Sequence, residues 1–297
     1  MTALSFDGKV AIVTGAGGGL GRSHALDLAR RGALVVVNDL GGAVDGSGSS
    51  ETAAETVVNE IKAAGGEAVP NYDSVSTPEG GEGIVQTAID AYGRVDIVIN
   101  NAGILRDKAF HNMTPELQTA VIDTHLNGAF YVTRPAYVHM RANGYGRIVN
   151  TASAAGIFGN FGQTNYGAAK MGLVGFTRVL AVEGAKHNIK ANVIAPIART
   201  RMTEELLGAM AEGLKPELIT PIVTYLASEE CEVTGEIYSV AAGRVARVFI
   251  GECVGYTNPA LDAEAVRDNL AQIRDEKDYF VPGNAGEEMM MAMKANG

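Results

Sequence analysis

A strand-like run, Lys9 to Thr14, passes straight into TGAGGGLG at residues 14–21 and then into a helical pattern beginning near Leu20. Nothing else in the chain restricts the fold so strongly. A glycine-rich stretch alone makes a flexible loop, but between a strand and a helix it is the opening turn of a βαβ unit. Gly15 permits the tight turn, Gly19 lets backbone come close to a pyrophosphate, and Gly21 lets the helix pack against the strand. The helix N-terminus then faces the phosphates, with Gly15, Gly18, Gly19 and Leu20 as candidate contacts to a dinucleotide.

The same rhythm continues along the chain. Apolar, β-branched runs at Val10 to Val13, Leu34 to Val37, Val95 to Ile99, Ile148 to Val149 and Asn192 to Ala195 alternate with longer helix-like stretches. Such alternation predicts an α/β fold: a doubly wound parallel sheet of about seven strands, helices on both faces, and a crevice at the strands' carboxyl ends. A last strand is expected at Tyr238 to Ala241. The 297 residues fit one domain, residues 1–245, with a C-terminal extension, residues 246–297. That extension contains a helix-like stretch from Asp262 to Asp275 and a Met-rich end, Met289 to Met293, read as a helix packing on the body or on a partner subunit.

Hydrophobic residues make up 46% of the chain, enough for a sizeable core, and the net charge of −10 argues against nucleic acid or an anionic membrane as the main partner. No apolar run reaches about 18 residues, and no charged segment followed by an apolar one opens the chain. A cytoplasmic protein with Cys231 and Cys253 reduced is expected, and no metal ligand set is read.

The second strand ends in VVVND, which places Asp39 about twenty residues after the glycine turn, where a carboxylate can accept hydrogen bonds from ribose hydroxyls and repel a 2′-phosphate. The alternative is a solvated turn residue. No Lys or Arg lies within the glycine loop and Arg22 is just beyond it, so NAD is favoured over NADP. GGAVDGSGSS, residues 41–50, is too rich in Gly and Ser for a helix or strand and reads as a mobile loop beside the adenosine end.

The strongest chemical signal is YGAAK. Tyr166 and Lys170 lie four apart, on one face of a helix, so that their polar ends can meet. A phenol is a poor base near neutrality, but an adjacent ammonium favours the phenolate. General acid–base catalysis on a hydroxyl or carbonyl is then available. Upstream, Ser153 follows the strand Arg147 to Asn150 and can hydrogen-bond a substrate oxygen at the crevice, with Thr151 as a neighbouring alternative.

The glycine turn departs from the G-x-G-x-x-G spacing and instead resembles the TGxxxGxG of the short-chain dehydrogenase/reductase family, whose order of motifs the chain follows. That resemblance implies a Rossmann-type sheet and selects Ser153, with Tyr166 and Lys170, as the catalytic set. It implies adenine contacts from Asp73 and Ser74, and a structural and ribose-lining role for Asn101, Ala102 and Gly103 of NNAG. Tyr166 and Lys170 also join the cofactor contacts. Relatives grip the nicotinamide amide at Pro-Gly after the sixth strand; here Pro196 is followed by Ile197, whose backbone can still serve, with Thr200 a weaker candidate. Many relatives carry a helix Asn that holds a relay water, where THLNG has His125, left open between relay and packing.

VTGAGGGLGR, VVVNDLGG, NNAGILRD, GNFGQTNYGAAK and IAPIARTRMT are similar to the (3R)-hydroxyacyl-CoA dehydrogenase part of type 2 peroxisomal multifunctional enzymes, over about residues 5 to 245. This implies oxidation of a 3-hydroxyacyl-CoA by a free-standing, bacterial-type version, without an SKL-like address. A steroid hydroxyl is the alternative substrate, and a non-enzymatic NAD-binding module or a sugar-nucleotide epimerase the alternative classes. Arg106, Lys108, Arg199 and Arg201 are either coenzyme A phosphate contacts or solvated charges. Met202, Leu206, Leu207 and Met210 belong either to a substrate lid or to the buried side of a short helix. A homodimer or homotetramer pairing the long helices is expected.

Overall fold

The strands at the centre of the sheet are rich in apolar residues on both sides, as strands covered on both faces must be. The computed structural model describes residues 3–199 and 213–294. The strands are β1 (Val10–Thr14), β2 (Leu34–Asn38), β3 (Glu67–Asn71), β4 (Ile97–Asn100), β5 (Gly146–Thr151), β6 (Ile189–Ile197), β7 (Ile237–Ala241) and β8 (Arg244–Val248). They form one sheet in the order β3-β2-β1-β4-β5-β6-β7-β8. All pairings from β3 to β7 are parallel, with Val10 opposite Leu34 and Ala11 opposite Ile97 setting the central register.

Side-chain alternation along β1 sorts the core into two layers. Ala11 and Val13 pack with Leu28 of α1 (Gly19–Arg30), Val57 and Ile61 of α2 (Thr52–Ala63) and a later helix, Thr220–Ala227. Val10 and Ile12 point the other way, toward Ile84 of α3 (Pro78–Tyr92), Val132 and Met140 of α5 (Gly128–Asn143) and Leu180 of α7 (Thr164–Gly184). Between α3 and α5 lies α4 (Pro115–Ile122), and α6 (Ala154–Phe158) follows β5. Strand order reverses between β1 and β4, which opens a crevice beyond their carboxyl ends.

The expected sheet of about seven strands is seven parallel strands plus an eighth. Ala242 (φ 48) and Gly243 (φ 80) both take positive φ, the turn that folds a strand straight back on its neighbour, and so add β8 where the sequence reading had ended the sheet at Ala241.

The chain divides into two compact units, Met1–Arg247 and Val248–Gly297. In the second, Glu252–Cys253 pairs antiparallel with Tyr279–Phe280. The single helix expected over Asp262 to Asp275 is instead two, Ala263–Asp268 and Leu270–Ile273. Asp262 caps the first, and Asn269 leaves the helical region between them. A terminal helix, Ala285–Lys294, carries exposed Met289, Met290, Met291 and Met293. Both cysteines are free thiols. Among the described residues no helix is long and apolar enough to cross a membrane, and no acidic, His or Cys cluster is placed to hold a metal.

Candidate active site

The crevice holds a cavity of about 760 Å³, within the range of small-molecule sites. Gly15, Gly18, Gly19 and Leu20 line it, as do Asp39, Asp73 and Ser74, then Asn101, Ala102 and Gly103, then Ser153, Tyr166 and Lys170, and finally Pro196 and Ile197. The structure therefore brings together the catalytic and cofactor candidates the sequence singled out, apart from Thr200, while of the candidate phosphate contacts Arg106 lines the cavity and Lys108 and Arg199 do not. Thr200, with Arg201, Met202, Leu206, Leu207 and Met210, lies outside the described residues.

At the glycine turn, a Cβ on Gly15 would sit 2.7 Å from the Ala102 Cα, so the turn is pressed against the end of β4. Gly18 faces open space, with nothing within 4 Å of such a Cβ. Asn101 holds this arrangement: its Nδ2 donates to the carbonyls of Thr14 and Gly15 at 3.0 and 3.1 Å. The backbone amides of Asn101 and Ala102 donate in turn to Thr14 Oγ1. Next to it, buried Asn100 donates to Thr133 Oγ1 and Asn150 Oδ1, tying β4 to β5. The Asn101 side chain is thus a clamp on the turn.

Asp39 is braced as well as placed. Its two carboxylate oxygens accept the amides of Gly17 and Gly41, each at 2.7 Å, which sets the carboxylate against the glycine turn with further lone pairs free toward the cavity. Arg22 is committed elsewhere, paired through two nitrogens with the Glu60 carboxylate. Asp73 accepts Asn71 Nδ2 at 2.8 Å, and its carbonyl takes a bond from Asn38 Nδ2. Loop 41–50 bonds to the strand-end segment that follows NNAG, through Leu105 N to the Val44 carbonyl and Arg106 Nε to the Asp45 carbonyl. Backbone groups that composition alone marks as loop here find partners across the crevice.

At the far end, Ser153 caps α6, its Oγ accepting the Ala155 amide at 3.2 Å, and its hydroxyl is near enough to the Tyr166 phenol to favour the phenolate. Tyr166 and Lys170 lie one turn apart on α7, and the Lys170 ammonium sits 5.4 Å from the tyrosine ring centroid and donates to the Thr151 carbonyl. Burial pushes the Lys170 ammonium down to about 7. The phenol was expected to be drawn down by that ammonium. It is raised instead, because burial outweighs the opposing pull of the nearby Ser153 hydroxyl, with Asp107 adding to the rise.

His125 lies in a π-turn, Asp123–Asn127, between α4 and α5. The ring is buried, meets the Tyr166 ring edge-on at 5.2 Å, and places Nε2 3.0 Å from the Ile104 amide and 2.8 Å from its carbonyl, serving one or the other according to tautomer. Burial first, and then the Lys170 charge, hold it well below its ordinary range, so it is a neutral imidazole. Its Nδ1 has no partner and borders a cavity of about 10 Å³ shared with Lys170 and Asn100.

Residues 9–210 match the family model for short chain dehydrogenases. The chain belongs to the short chain dehydrogenase family. It is 51% identical over 277 residues to the peroxisomal multifunctional enzyme type 2 of Mus musculus, covering 92% of this chain but 37% of that enzyme. A hydroxyacyl-CoA dehydrogenase of Mycobacterium tuberculosis is 41% identical over 81% of this chain and 80% of its own. The solved structure of the full-length type 2 enzyme from Drosophila melanogaster superposes with a TM-score of 0.81 at 38% identity, over 98% of this chain and 50% of that one. The chain therefore spans 37% and 50% of the lengths of these two multifunctional enzymes. Membership in the family, together with the Rossmann-type sheet, implies a nicotinamide dinucleotide as redox partner.

The sequence reading did not pick out the Thr151 carbonyl under Lys170, Gln163, Ile104 and Leu105 in the cavity wall of this dehydrogenase, or Asn165 at the start of α7 behind it. Asn165 carries a signal in hindsight, since an Asn one position before a helix tyrosine can bond backbone on both sides; its Oδ1 accepts Tyr166 N and its Nδ2 donates to the Arg106 and Leu117 carbonyls.

Proposed function

We propose that this dehydrogenase oxidises a secondary alcohol to a ketone with NAD, and that the alcohol is a 3-hydroxyacyl-CoA. The observation that carries the reading is the meeting of Ser153, Tyr166 and Lys170 at one end of a cavity whose other end carries Asp39. The residues fit a dinucleotide. Gly18 leaves a backbone cradle open at the N-terminus of α1, and buried Lys170, with three donors and one carbonyl acceptor, has donors to spare for ribose hydroxyls. A nicotinamide dinucleotide held there would supply the acceptor for the hydride of the carbinol carbon.

The protein's own groups handle the proton. Tyr166, as phenolate, takes it from the alcohol oxygen, and the Ser153 hydroxyl holds that oxygen by a hydrogen bond. Burial raises the phenol, so the phenolate depends on positive charge beside it, which the Lys170 ammonium, held by the Thr151 carbonyl, would supply when protonated. Loss of one proton to Tyr166 and one hydride to the cofactor leaves the ketone.

NAD is favoured over NADP because Asp39 presents a carboxylate where a 2′-phosphate would sit, and because Arg22 is already paired with Glu60. The acyl-CoA reading is supported by the relative named a hydroxyacyl-CoA dehydrogenase. We assign the reaction to residues 1–245 and expect a homo-oligomer. The test is nicotinamide absorbance with NAD and with NADP, against 3-hydroxyacyl-CoA thioesters and hydroxysteroids. Reduction of NAD by the thioesters is expected. Reduction by steroids alone would overturn the substrate, and no reduction by any secondary alcohol would leave a dinucleotide-binding module.

A further inference from the structure

Loop 41–50 is a closed body. Ser50 N donates to the Leu40 carbonyl at 2.9 Å, and a Cβ on Gly41 would lie 1.9 Å from the Ser50 oxygen, so the two ends touch. Inside it, Ala43 N bonds to the Ser47 carbonyl and Gly46 N to the Ala43 carbonyl, while the Asp45 carboxylate accepts both the amide and the hydroxyl of Ser47. A short surface loop with joined ends and its own internal bonds moves as a unit.

One strip of chain connects this unit to the tyrosine. On the loop side, the Leu105 amide donates to the Val44 carbonyl at 3.0 Å and Arg106 Nε to the Asp45 carbonyl at 2.8 Å. Gly46 lies so close to Ile104 that a Cβ there would be 3.1 Å from Cγ2. On the other side, Asn165 Nδ2 donates to the Arg106 carbonyl at 3.0 Å while its Oδ1 accepts Tyr166 N at 2.8 Å. Lys108 N donates to the Gly162 carbonyl, and Gln163 Nε2 to the Asp107 carboxylate. Arg106 therefore grips the loop with its side chain and the start of α7 with its carbonyl.

We propose that Arg106 is a positioning residue, and that the strip Ile104–Lys108 is a clasp through which occupation of the adenosine end organises the alcohol end. The proposal rests on the dinucleotide reading above. A ligand that seats loop 41–50 also seats the strip, so the second ligand meets a site already ordered and binds more tightly. The competing role for Arg106, an anion contact to a coenzyme A phosphate, uses the same side chain but predicts no such coupling.

The experiment uses the full chain and ADP, which reaches only the adenosine end, with amide hydrogen exchange and steady-state kinetics as readouts. In the wild type, ADP is expected to slow exchange both in 41–50 and in 104–108. In Arg106→Leu the slowing should be confined to 41–50. In the same variant, KM for a phosphate-free N-acetylcysteamine 3-hydroxy thioester should rise about tenfold, by more than kcat falls, and Arg106→Lys should recover most of it. Gly46→Val, which crowds Ile104 from the loop side, should produce the same loss of coupling.

Unchanged exchange in 104–108 on adding ADP to the wild type would overturn the clasp. So would a KM effect seen with the coenzyme A thioester but not with the phosphate-free one. If calorimetry finds neither ADP nor NAD binding, the dinucleotide reading falls and takes the clasp with it; NAD binding without coupling sinks the clasp alone.

Discussion

A buried ammonium beside a tyrosine is a liability for folding that the proposed chemistry requires. Lys170 titrates near 7 in the folded chain against 10.5 when free, because burial disfavours its charge. Between those values the unfolded chain holds a proton the folded one has lost, so stability climbs with pH across that window and is most depressed below about 7. Lys170→Met is therefore expected to abolish turnover yet to melt higher than wild type at pH 6, with the gain shrinking toward pH 10.5; thermal melts across that range check it. Tyr166→Phe, which deletes only the hydroxyl, should lower kcat by about 10² to 10⁴-fold while calorimetric NAD affinity stays within a few-fold. His24, in α1, offers a second test away from the site. It is buried, its Nδ1 is paired with Thr220 Oγ1, and burial lowers it to about 3. Its folded value lies below the unfolded one near 6.5, so its share of stability is intact above 6.5 and falls away toward pH 3, by about 1.4 kcal/mol per unit. His24→Leu should flatten that acid limb in denaturant titrations at successive pH values.

At the scale of elements, the π-turn between α4 and α5 decides what can stand opposite it. It drives the His125 ring into the end of β4, where a Cβ on Gly103 would lie 2.2 Å from His125 Cε1. The ring cannot swing away freely, being held by Ile104 on one side and Tyr166 on the other. Gly103→Ala should therefore lower the melting temperature and raise KM for the alcohol, and His125→Ala in the same chain should restore much of the stability. Were the two substitutions simply additive in a double-mutant cycle, the ring would not be the obstacle. The hairpin between β7 and β8 is a quieter case of the same kind. Ala242 holds a positive φ that an L side chain adopts reluctantly, which is why β8 was not legible from apolar pattern alone.

For the whole molecule, the open question is what covers α5 and α7. The Phe130 and Phe176 rings meet across these helices with centroids 4.0 Å apart, tilted by 31°, and Val138, Val179 and Val182 lie exposed on them. An apolar surface of this kind on the two long helices supports the homo-oligomer proposed above, with a second copy as occupant. Val179→Asp with Val182→Asp should yield a monomer by sedimentation, with the far-ultraviolet spectrum retained. An unchanged sedimentation coefficient would place the contact elsewhere or remove it.

Much of the molecule was legible in the residues themselves, where the information is local. The strand-turn-helix at TGAGGGLG, the apolar runs of β1, β2, β4, β5 and β6 and the one-turn spacing of Tyr166 and Lys170 are read from neighbours in the chain, because backbone sterics and helical periodicity act over a few residues. Family order then brought Ser153, Asp39 and NNAG to the same crevice. What the chain could not show by itself depends on contacts between distant segments. The raised phenol of Tyr166 reflects how much protein surrounds it, the neutral state of His125 reflects burial beside Lys170, and loop 41–50 is fastened by carbonyls that meet Leu105 and Arg106 some sixty residues later in the chain. Desolvation and cross-chain hydrogen bonds are set by the packed whole, so only the tertiary structure decided them.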